Sequence, residues 1–246
     1  MEPSNEKLTP KDRLAVALDL PDEHEALKLV DRLGDTCHWF KVGMELYYAD
    51  GNKIIEKLRD RGFKVFLDLK LHDIPNTVAG AVRSAAKAGA SLLTIHATGG
   101  AAMMSAAAEA ASAPVSPRLL AVTVLTSMDA NQLAGIGITA SPADQVLRLA
   151  RLAKNSGING MVCSAEEVAL LRKETGPDSL LVIPGIRPAG STIEDQKRIA
   201  TPAQAIADGA SMLVVGRPIT RAADPAAAAQ AILNEIADGL AGAPQK

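Results

Sequence analysis

VFLDLKLHDIP, residues 65–75, is the stretch that decides the predicted architecture. Its first seven residues are apolar apart from Asp68 and Lys70, which predicts a strand buried on both faces. The proline at position 75 opens a predicted helix that runs to residue 88 and stops at Gly89, the usual punctuation of a helix. One buried strand followed by one helix is the repeating unit of a parallel sheet.

This strand-then-helix unit recurs along the whole chain. We predict strands at residues 14–20, 39–45, 65–71, 92–97, 119–125, 160–164, 180–186 and 212–216, and helices at 23–33, 52–61, 75–88 and 142–155. Eight units in 246 residues without a long insert favour a single (β/α)8 TIM barrel, which needs about 250 residues. A doubly wound open sheet is the competing architecture.

Composition indicates one domain with an aliphatic core. The chain is 48% hydrophobic but only 2% aromatic, so Ala, Val, Leu and Ile must fill the barrel. We expect residues 1–246 to form one domain, with an N-terminal extension over 1–11 and a frayed tail over 239–246. The net charge is -2 with no basic block, so we expect no nucleic-acid partner, and no 18-residue apolar stretch predicts a membrane span.

The two cysteines, Cys37 and Cys163, match no zinc or disulfide pattern. Buried free thiols are the simpler interpretation and fit a reducing compartment. The first ten residues are polar and have no signal-peptide core, so we expect a cytoplasmic protein.

Charged residues gather where the predicted strands end. Residues two apart in a strand share a face, which places Asp68 and Lys70 side by side, and Asp73 follows just past the strand. The carboxyl ends of barrel strands carry the active site in this architecture, and isolated charges are costly to bury. The simpler alternative is a stabilising buried ion pair.

Three other strand ends carry polar groups. Asp19 ends the first strand, Lys41 lies in the second and His96 ends the fourth. Taken singly, Asp19 could cap a helix, Lys41 could serve a salt bridge and His96 could be a hydrogen-bonded core residue. Taken with Asp68, Lys70 and Asp73, the residues Asp19 and Lys41 predict a compact network of alternating charge at one mouth of the barrel.

A second cluster follows the last two strands. Gly185 precedes Arg187, and Gly216 precedes Arg217, in the loops that commonly bind phosphate in a barrel. Glycine lets a phosphate approach backbone N–H groups, and arginine offers a bidentate cation. The polar segment 187–196 is predicted to be a lid, with Gln196 and Arg198 as ligand contacts; a passive surface loop is the alternative. We find no metal or dinucleotide motif and expect chemistry from side chains alone, with no cofactor.

The run DLKLHDIPNT, residues 68–77, resembles the signature of orotidine 5′-phosphate decarboxylases in their bacterial form. Further similar segments are ALD (17–19), FKVG (40–43), VTVLTS (122–127), PGIRP (184–188) and VGR (215–217), so the resemblance covers nearly the whole chain. The DxKxxD core alone is shared by a wider superfamily, whereas the full run with its flanking matches is highly specific.

This resemblance implies a cofactor-independent conversion of orotidine 5′-monophosphate to uridine 5′-monophosphate, in de novo pyrimidine biosynthesis. It implies that Lys70 donates a proton within a charge network of Lys41, Asp68 and Asp73, and that Asp73 crosses into the neighbouring subunit's site in a homodimer. The substrate contacts that it implies are Asp19 and Lys41 at the ribose, Thr126 or Ser127 at the pyrimidine, Arg187, Gln196, Gly216 and Arg217 at the phosphate, and Asp68, Ile74, Thr77, His96 and Pro184 elsewhere in the site.

Two alternatives stay open from the sequence. A keto-sugar-phosphate decarboxylase or hexulose-phosphate synthase resembles this chain in DxKxxD but uses magnesium to hold an enediolate. A phosphonucleotide-binding barrel without turnover could keep the same pocket.

Overall fold

The computed structural model describes residues 9–188 and 200–242 of the chain. Within them, eight parallel strands close into a barrel in chain order, and β8 pairs with β1 to complete it. The strands are β1 (Leu14–Ala17), β2 (Trp39–Gly43), β3 (Lys64–Leu71), β4 (Leu92–His96), β5 (Arg118–Val122), β6 (Gly160–Val162), β7 (Leu180–Ile183) and β8 (Met212–Val215). The predicted (β/α)8 TIM barrel is confirmed, and closure rules out the open sheet.

Helices surround the barrel. In the described residues they are α1 (Glu23–Leu33), α2 (Met44–Asp50), α3 (Asn52–Asp60), α4 (Pro75–Ala88), α5 (Gly100–Ala110), α6 (Ala130–Gly135), α7 (Pro142–Asn155), α8 (Val168–Thr175), α9 (Pro202–Ala207), α10 (Arg217–Thr220) and α11 (Pro225–Gly242), with 3-10 turns at Pro10–Arg13, Gly34–Thr36, Ala97–Gly99 and Ala165–Glu167. Three of the four predicted helices have the expected bounds, and α3 ends one residue early. None of the described helices is both long and apolar enough to cross a membrane.

Seven of the predicted strands run one to three residues too far at their carboxyl ends. The sequence prediction followed apolar runs, and those runs continue past the last ladder pair. Leu18 and Ile186 lie beyond the ends of β1 and β7, yet both are fully buried. Leu18 still donates its backbone N–H to the carbonyl oxygen of Lys41, and Ile186 forms an isolated bridge with Ala200. Burial therefore extends beyond the regular ladder, and hydrophobicity alone does not mark the end of a strand.

The core has two parts because successive strand residues face opposite sides. Small and aliphatic side chains from alternate strand positions, together with Phe66, form one cluster; it contains Ala15, Ala17, Phe66, Leu92, Leu120, Val182, Met212 and Val214. The intervening residues, such as Leu14 and Val16, pack with the helices in a larger cluster. The low aromatic content is thus met by an aliphatic core, as predicted.

Strand β3 is irregular at the residues that matter most. Leu67 pairs with Leu93 of β4, but the next pair joins Leu71 to Ile95, so four steps along β3 match two along β4. Lys70 lies in this bulge with a φ of 50°, and among the described residues it is the one non-glycine with a positive φ. The predicted sides are nevertheless kept: Asp68 and Lys70 line the pocket, and Leu69 and Leu71 pack with Leu67 in the larger cluster, although the bulge itself was not predicted.

The carboxyl-terminal helix corrects another prediction. Helix α11 continues through Gly242. Gly239 is buried, and a Cβ at this position would lie 2.5 Å from the carbonyl oxygen of Ala203. The predicted frayed tail is therefore wrong over residues 239–242, and 243–246 lie outside the described residues. The 3-10 turn at Pro10–Arg13 likewise begins inside the predicted extension over 1–11, of which residues 1–8 lie outside the described residues.

Cys37 and Cys163 are buried free thiols, as predicted. Burial raises the pKa of both, that of Cys37 to about 12.

Candidate active site

A pocket of about 730 Å³ opens at the carboxyl ends of the barrel strands. Residues from the ends of β1, β2, β3, β5, β6, β7 and β8 contribute to its wall. The predicted site residues that line it are Asp19, Lys41, Asp68, Lys70, Thr126, Pro184, Arg187, Gly216 and Arg217. The strand-end positions thus bring together groups that are nearly two hundred residues apart in the sequence.

Four charged side chains form a connected network on one wall. The Lys41 ammonium lies 2.7 Å from Oδ1 of Asp19 and 3.6 Å from Oδ2 of Asp68. The Lys70 ammonium donates to both carboxylate oxygens of Asp68, each at 2.9 Å. Negative and positive groups therefore alternate from Asp19 to Lys70, as the sequence predicted for this mouth, but Asp73 is not part of this network in its own chain.

Asp68 is the centre of this network, with 14% of its side chain exposed. Burial alone would raise the pKa of Asp68, but the ammonium groups of Lys41 and Lys70, with hydrogen bonds from Lys70 and Thr94, outweigh burial and lower the pKa below its ordinary value. The carboxylate of Asp68 is therefore charged at neutral pH, with the ammonium groups of Lys41 and Lys70 beside it.

The ion pair between Lys41 and Asp19 depends on the absence of a side chain at Gly43. A Cβ at Gly43 would lie 3.0 Å from Oδ1 of Asp19 and 3.0 Å from Nζ of Lys41. Contacts this short would force the pair to move. Glycine at the end of β2 therefore leaves the space in which these two charges meet.

Thr94 was not singled out from the sequence, although it contacts both central charges of the site. It is 1% exposed on β4, accepts a hydrogen bond from the Lys70 backbone N–H at 2.8 Å and donates one to Oδ1 of Asp68 at 3.0 Å. A polar residue inside the apolar run LLTIH was the one signal available in the sequence.

Another part of the pocket wall carries the glycine and arginine residues that follow β7 and β8. Gly185 has a φ of 78°, a left-handed conformation that favours glycine, and Gly216 immediately precedes α10. Arg187 is only 9% exposed, and Arg217 lines the pocket beside Gly216. Arg221, one turn after Arg217, also lines the pocket and was missed, although its spacing on a helix was a usable signal.

Several predicted residues lie away from this pocket. Asp73, Ile74 and Thr77 are exposed at the junction between β3 and α4, and 67% of Ile74 is accessible to solvent. Ser127 is exposed and does not line the pocket, whereas the neighbouring Thr126 does. Gln196 and Arg198, with most of the predicted lid, lie outside the described residues.

His96 does not line the pocket either; its ring lies 5.4 Å from the ring of His72, centroid to centroid. Burial lowers the pKa of His96, as do His72 and the Lys70 ammonium, and only Asp68 acts in the opposite direction. His96 is therefore neutral at neutral pH. The structure therefore brings His96 to His72 and not to the pocket wall.

No group of three or more His, Cys, Asp and Glu side chains is arranged to hold a metal ion in residues 9–188 and 200–242. Asp68, the most buried carboxylate of the pocket wall, already has two ammonium groups beside it. The arrangement suits an anionic ligand that extends from the charged wall to the arginine side.

Comparison with known proteins gives the same family from sequence and from structure. The model of the orotidine 5′-phosphate decarboxylase / HUMPS family matches residues 12–232. A curated protein of Bradyrhizobium sp. named orotidine 5′-phosphate decarboxylase is 53% identical over 235 residues, covering 96% of each chain. A protein of the same name from Methylobacterium sp. is 53% identical over 234 residues, covering 95% of this chain and 99% of its own.

A solved structure is similar over nearly the same extent. The crystal structure of orotidine 5′-phosphate decarboxylase from Lactobacillus acidophilus superposes with a TM-score of 0.81 at 44% identity, covering 92% of this chain and 99% of that one. The family model spans the barrel, and the relatives match almost end to end. The chain therefore belongs to the orotidine 5′-phosphate decarboxylase / HUMPS family.

Proposed function

We propose that the charged wall centred on Asp68 and Lys70 carries out the decarboxylation of orotidine 5′-monophosphate, with Lys70 as the proton donor. The chain is a carboxy-lyase of pyrimidine biosynthesis that forms uridine 5′-monophosphate. One observation carries the assignment to Lys70: both oxygens of Asp68 hold its ammonium on the wall of the pocket at the carboxyl ends of the strands.

The chemistry requires a cation beside C6 of the pyrimidine. When the bond from C6 to the carboxylate breaks, carbon dioxide leaves and the electron pair stays on C6, in the plane of the ring, where no adjacent carbonyl can delocalise it. The Lys70 ammonium stabilises that charge as it develops. Lys70 then gives a proton to C6, a new C–H bond forms, and the neutral amine recovers its proton from solvent.

Asp68 holds Lys70 in place. Its carboxylate accepts two charge-assisted hydrogen bonds at 2.9 Å, and these restrict the end of a long side chain. Enzymes lower barriers by about 8–23 kcal/mol, which is more than one ion pair supplies. Binding energy from a remote group of the substrate must therefore help to organise the site.

The phosphate of the substrate is that remote group. In our proposal Arg187, Arg217 and the backbone at Gly185 and Gly216 hold it at the ends of β7 and β8, and Gln196, which lies outside the described residues, is a further proposed contact. Asp19 and Lys41 meet the ribose hydroxyls. Thr126 is favoured over Ser127 as the pyrimidine contact because Thr126 lines the pocket, as Pro184 also does.

We further propose that the chain works as a homodimer in which Asp73 completes the neighbouring subunit's site. Asp73 does not line the pocket of its own chain; its carboxylate accepts a hydrogen bond from the N–H of Ile74 at 2.6 Å. The side chain of Ile74, two-thirds exposed next to Asp73, provides apolar surface for a subunit contact. Thr77 follows on the same exposed turn.

A mixing experiment tests this sharing. Lys70→Ala and Asp73→Asn are each expected to be inactive alone. A heterodimer of the two contains one intact site, so co-expression should recover roughly a quarter of wild-type turnover if subunits assort randomly. The matched control combines Lys70→Ala with Asp68→Asn, whose defects lie in each chain's own site, and should recover nothing. An inactive first mixture would exclude a shared Asp73.

The reaction itself is tested by following the loss of orotidylate absorbance with and without a chelator. We expect turnover that is unchanged by the chelator. Turnover that stops with the chelator would instead favour the magnesium-dependent chemistry of keto-sugar-phosphate enzymes. Tight binding of uridine 5′-monophosphate without turnover would favour a binding protein.

We also propose a cytoplasmic location, which the buried free thiols of Cys37 and Cys163 support.

A further inference from the structure

We propose that Thr94 is a positioning residue for the decarboxylation: its single hydroxyl fixes the backbone of Lys70 and the carboxylate of Asp68 at the same time. This inference rests on the function proposed for Lys70. Thr94 does not line the pocket, so it acts through the two charged residues and does not contact the substrate.

The hydroxyl has a defined hydrogen-bonding direction. The backbone nitrogen of Lys70 can only donate, so Oγ1 of Thr94 accepts from it at 2.8 Å. The hydroxyl proton is then directed to a carboxylate that can only accept, Oδ1 of Asp68 at 3.0 Å. Since Thr94 is 1% exposed, water does not compete for either bond.

The backbone of Lys70 needs this support because it is strained. The bulge between Leu67 and Leu71 removes the regular ladder partners of the residues inside it, and a φ of 50° is disfavoured for a side chain such as lysine. The Thr94 hydroxyl replaces the missing partner of the Lys70 N–H. In a regular ladder a backbone carbonyl of the neighbouring strand would accept this hydrogen bond, and here the Thr94 side chain accepts it.

The bulge and the hydroxyl together explain how a residue from β3 reaches its place. The Lys70 backbone is held from β4, and its ammonium is held by Asp68, which Thr94 holds in turn. Losing the hydroxyl therefore removes one hydrogen bond from the Lys70 backbone and one from the Asp68 carboxylate. Displacements of about 1 Å at a reacting group can cost about 100-fold in rate, so the expected effect is on kcat.

Thr94→Val tests the inference because valine keeps the shape of threonine and removes only the hydroxyl. We expect kcat for orotidylate to fall by about 10- to 100-fold, while the Kd for uridine 5′-monophosphate changes by less than about threefold. Thr94→Ser keeps the hydroxyl and should retain kcat within about threefold of wild type. If the valine variant does not fold, Thr94→Ala is measured in the same way with the same expected split.

Thr175→Val is the matched control. Thr175 is also a buried threonine, 5% exposed, and its hydroxyl donates to the carbonyl oxygen of Leu171 at 2.8 Å within α8, outside the pocket. It should lose stability as Thr94→Val does but keep wild-type kcat. Wild-type kcat in Thr94→Val, or a serine variant as slow as the valine variant, would overturn the inference. Failure of the wild-type chain to turn over orotidylate would instead overturn the proposed function.

Discussion

The ammonium of Lys70 lies at the same distance, 2.9 Å, from both carboxylate oxygens of Asp68. This symmetric contact places a positive charge on the pocket wall and holds it there by two charge-assisted hydrogen bonds. The pKa of Asp68 is lowered because the cations Lys41 and Lys70 and two hydrogen bonds outweigh its burial. An electrostatic site that is organised before the charge develops is the main source of stabilisation in such catalysis.

Gly43→Ala is predicted to damage the site without unfolding the barrel. The new Cβ would lie 3.0 Å from both Asp19 and Lys41 and would push the ion pair apart. The φ of −91° at position 43 is ordinary for alanine, so the free energy of unfolding should change by less than about 1 kcal/mol. We expect kcat/KM to fall by about tenfold or more. Gly135→Ala, where a Cβ would meet nothing within 4 Å, should keep wild-type kcat/KM; equal values for both variants would contradict the prediction.

Arg217→Ala is predicted to weaken catalysis only when the substrate carries its phosphate. A hydrogen bond to a charged group contributes about 1.5–3 kcal/mol, so kcat/KM for orotidylate should fall by roughly 10- to 100-fold. The unphosphorylated nucleoside orotidine should react about equally with variant and wild type. Arg217→Lys keeps the charge but loses the bidentate geometry, so its kcat/KM for orotidylate should lie between those of wild type and Arg217→Ala. The same loss on both substrates would remove Arg217 from the phosphate site.

His96 is predicted to titrate below the ordinary histidine value of 6.5, because of burial first and of His72 and Lys70 next, with Asp68 opposing. Because folding lowers the pKa of His96, this residue contributes to the free energy of unfolding above pH 6.5. That contribution is lost as the pH falls through the folded-state pKa. NMR titration of the ring protons measures this pKa directly. In His72→Asn the pKa of His96 should rise; a value at or above 6.5 in the wild type would show the prediction to be wrong.

Helix α11 offers a stability test with its own control. Gly239→Ala should destabilise the chain by about 1–3 kcal/mol, because its Cβ would lie 2.5 Å from the Ala203 carbonyl oxygen. Gly242→Ala, with nothing within 4 Å, should instead be neutral or stabilise by up to about 1 kcal/mol. Denaturant unfolding measures both. Equal effects would mean that α11 does not pack on α9 through Gly239.

The fold was predictable from the sequence because its signals are local. Apolar runs of five to seven residues, with proline near helix starts and glycine after helix ends, give the eight units and the positions of α1, α4 and α7. The ends of the strands were not predictable in the same way. Leu18 and Ile186 are buried by neighbours that are distant in the chain, so an apolar run continues after the ladder ends.

The charged wall was also predictable in part, because polar residues at strand ends must meet at the barrel mouth. Alternation along β3 correctly predicts that Asp68 and Lys70 share a face, but it does not predict the backbone path between them. The actual path includes a bulge and a left-handed Lys70, held by a hydroxyl from β4. No local pattern in 65–71 contains that information, since it depends on the register of β3 against β4.

The most direct test of the central assignment is orotidylate turnover by Lys70→Ala, measured together with the binding of uridine 5′-monophosphate. Removing both the cation and the proton donor should lower kcat by about 1,000-fold or more, whereas binding of the product should remain measurable. Turnover within about tenfold of wild type in the folded variant would contradict the role of Lys70 and the mechanism built on it.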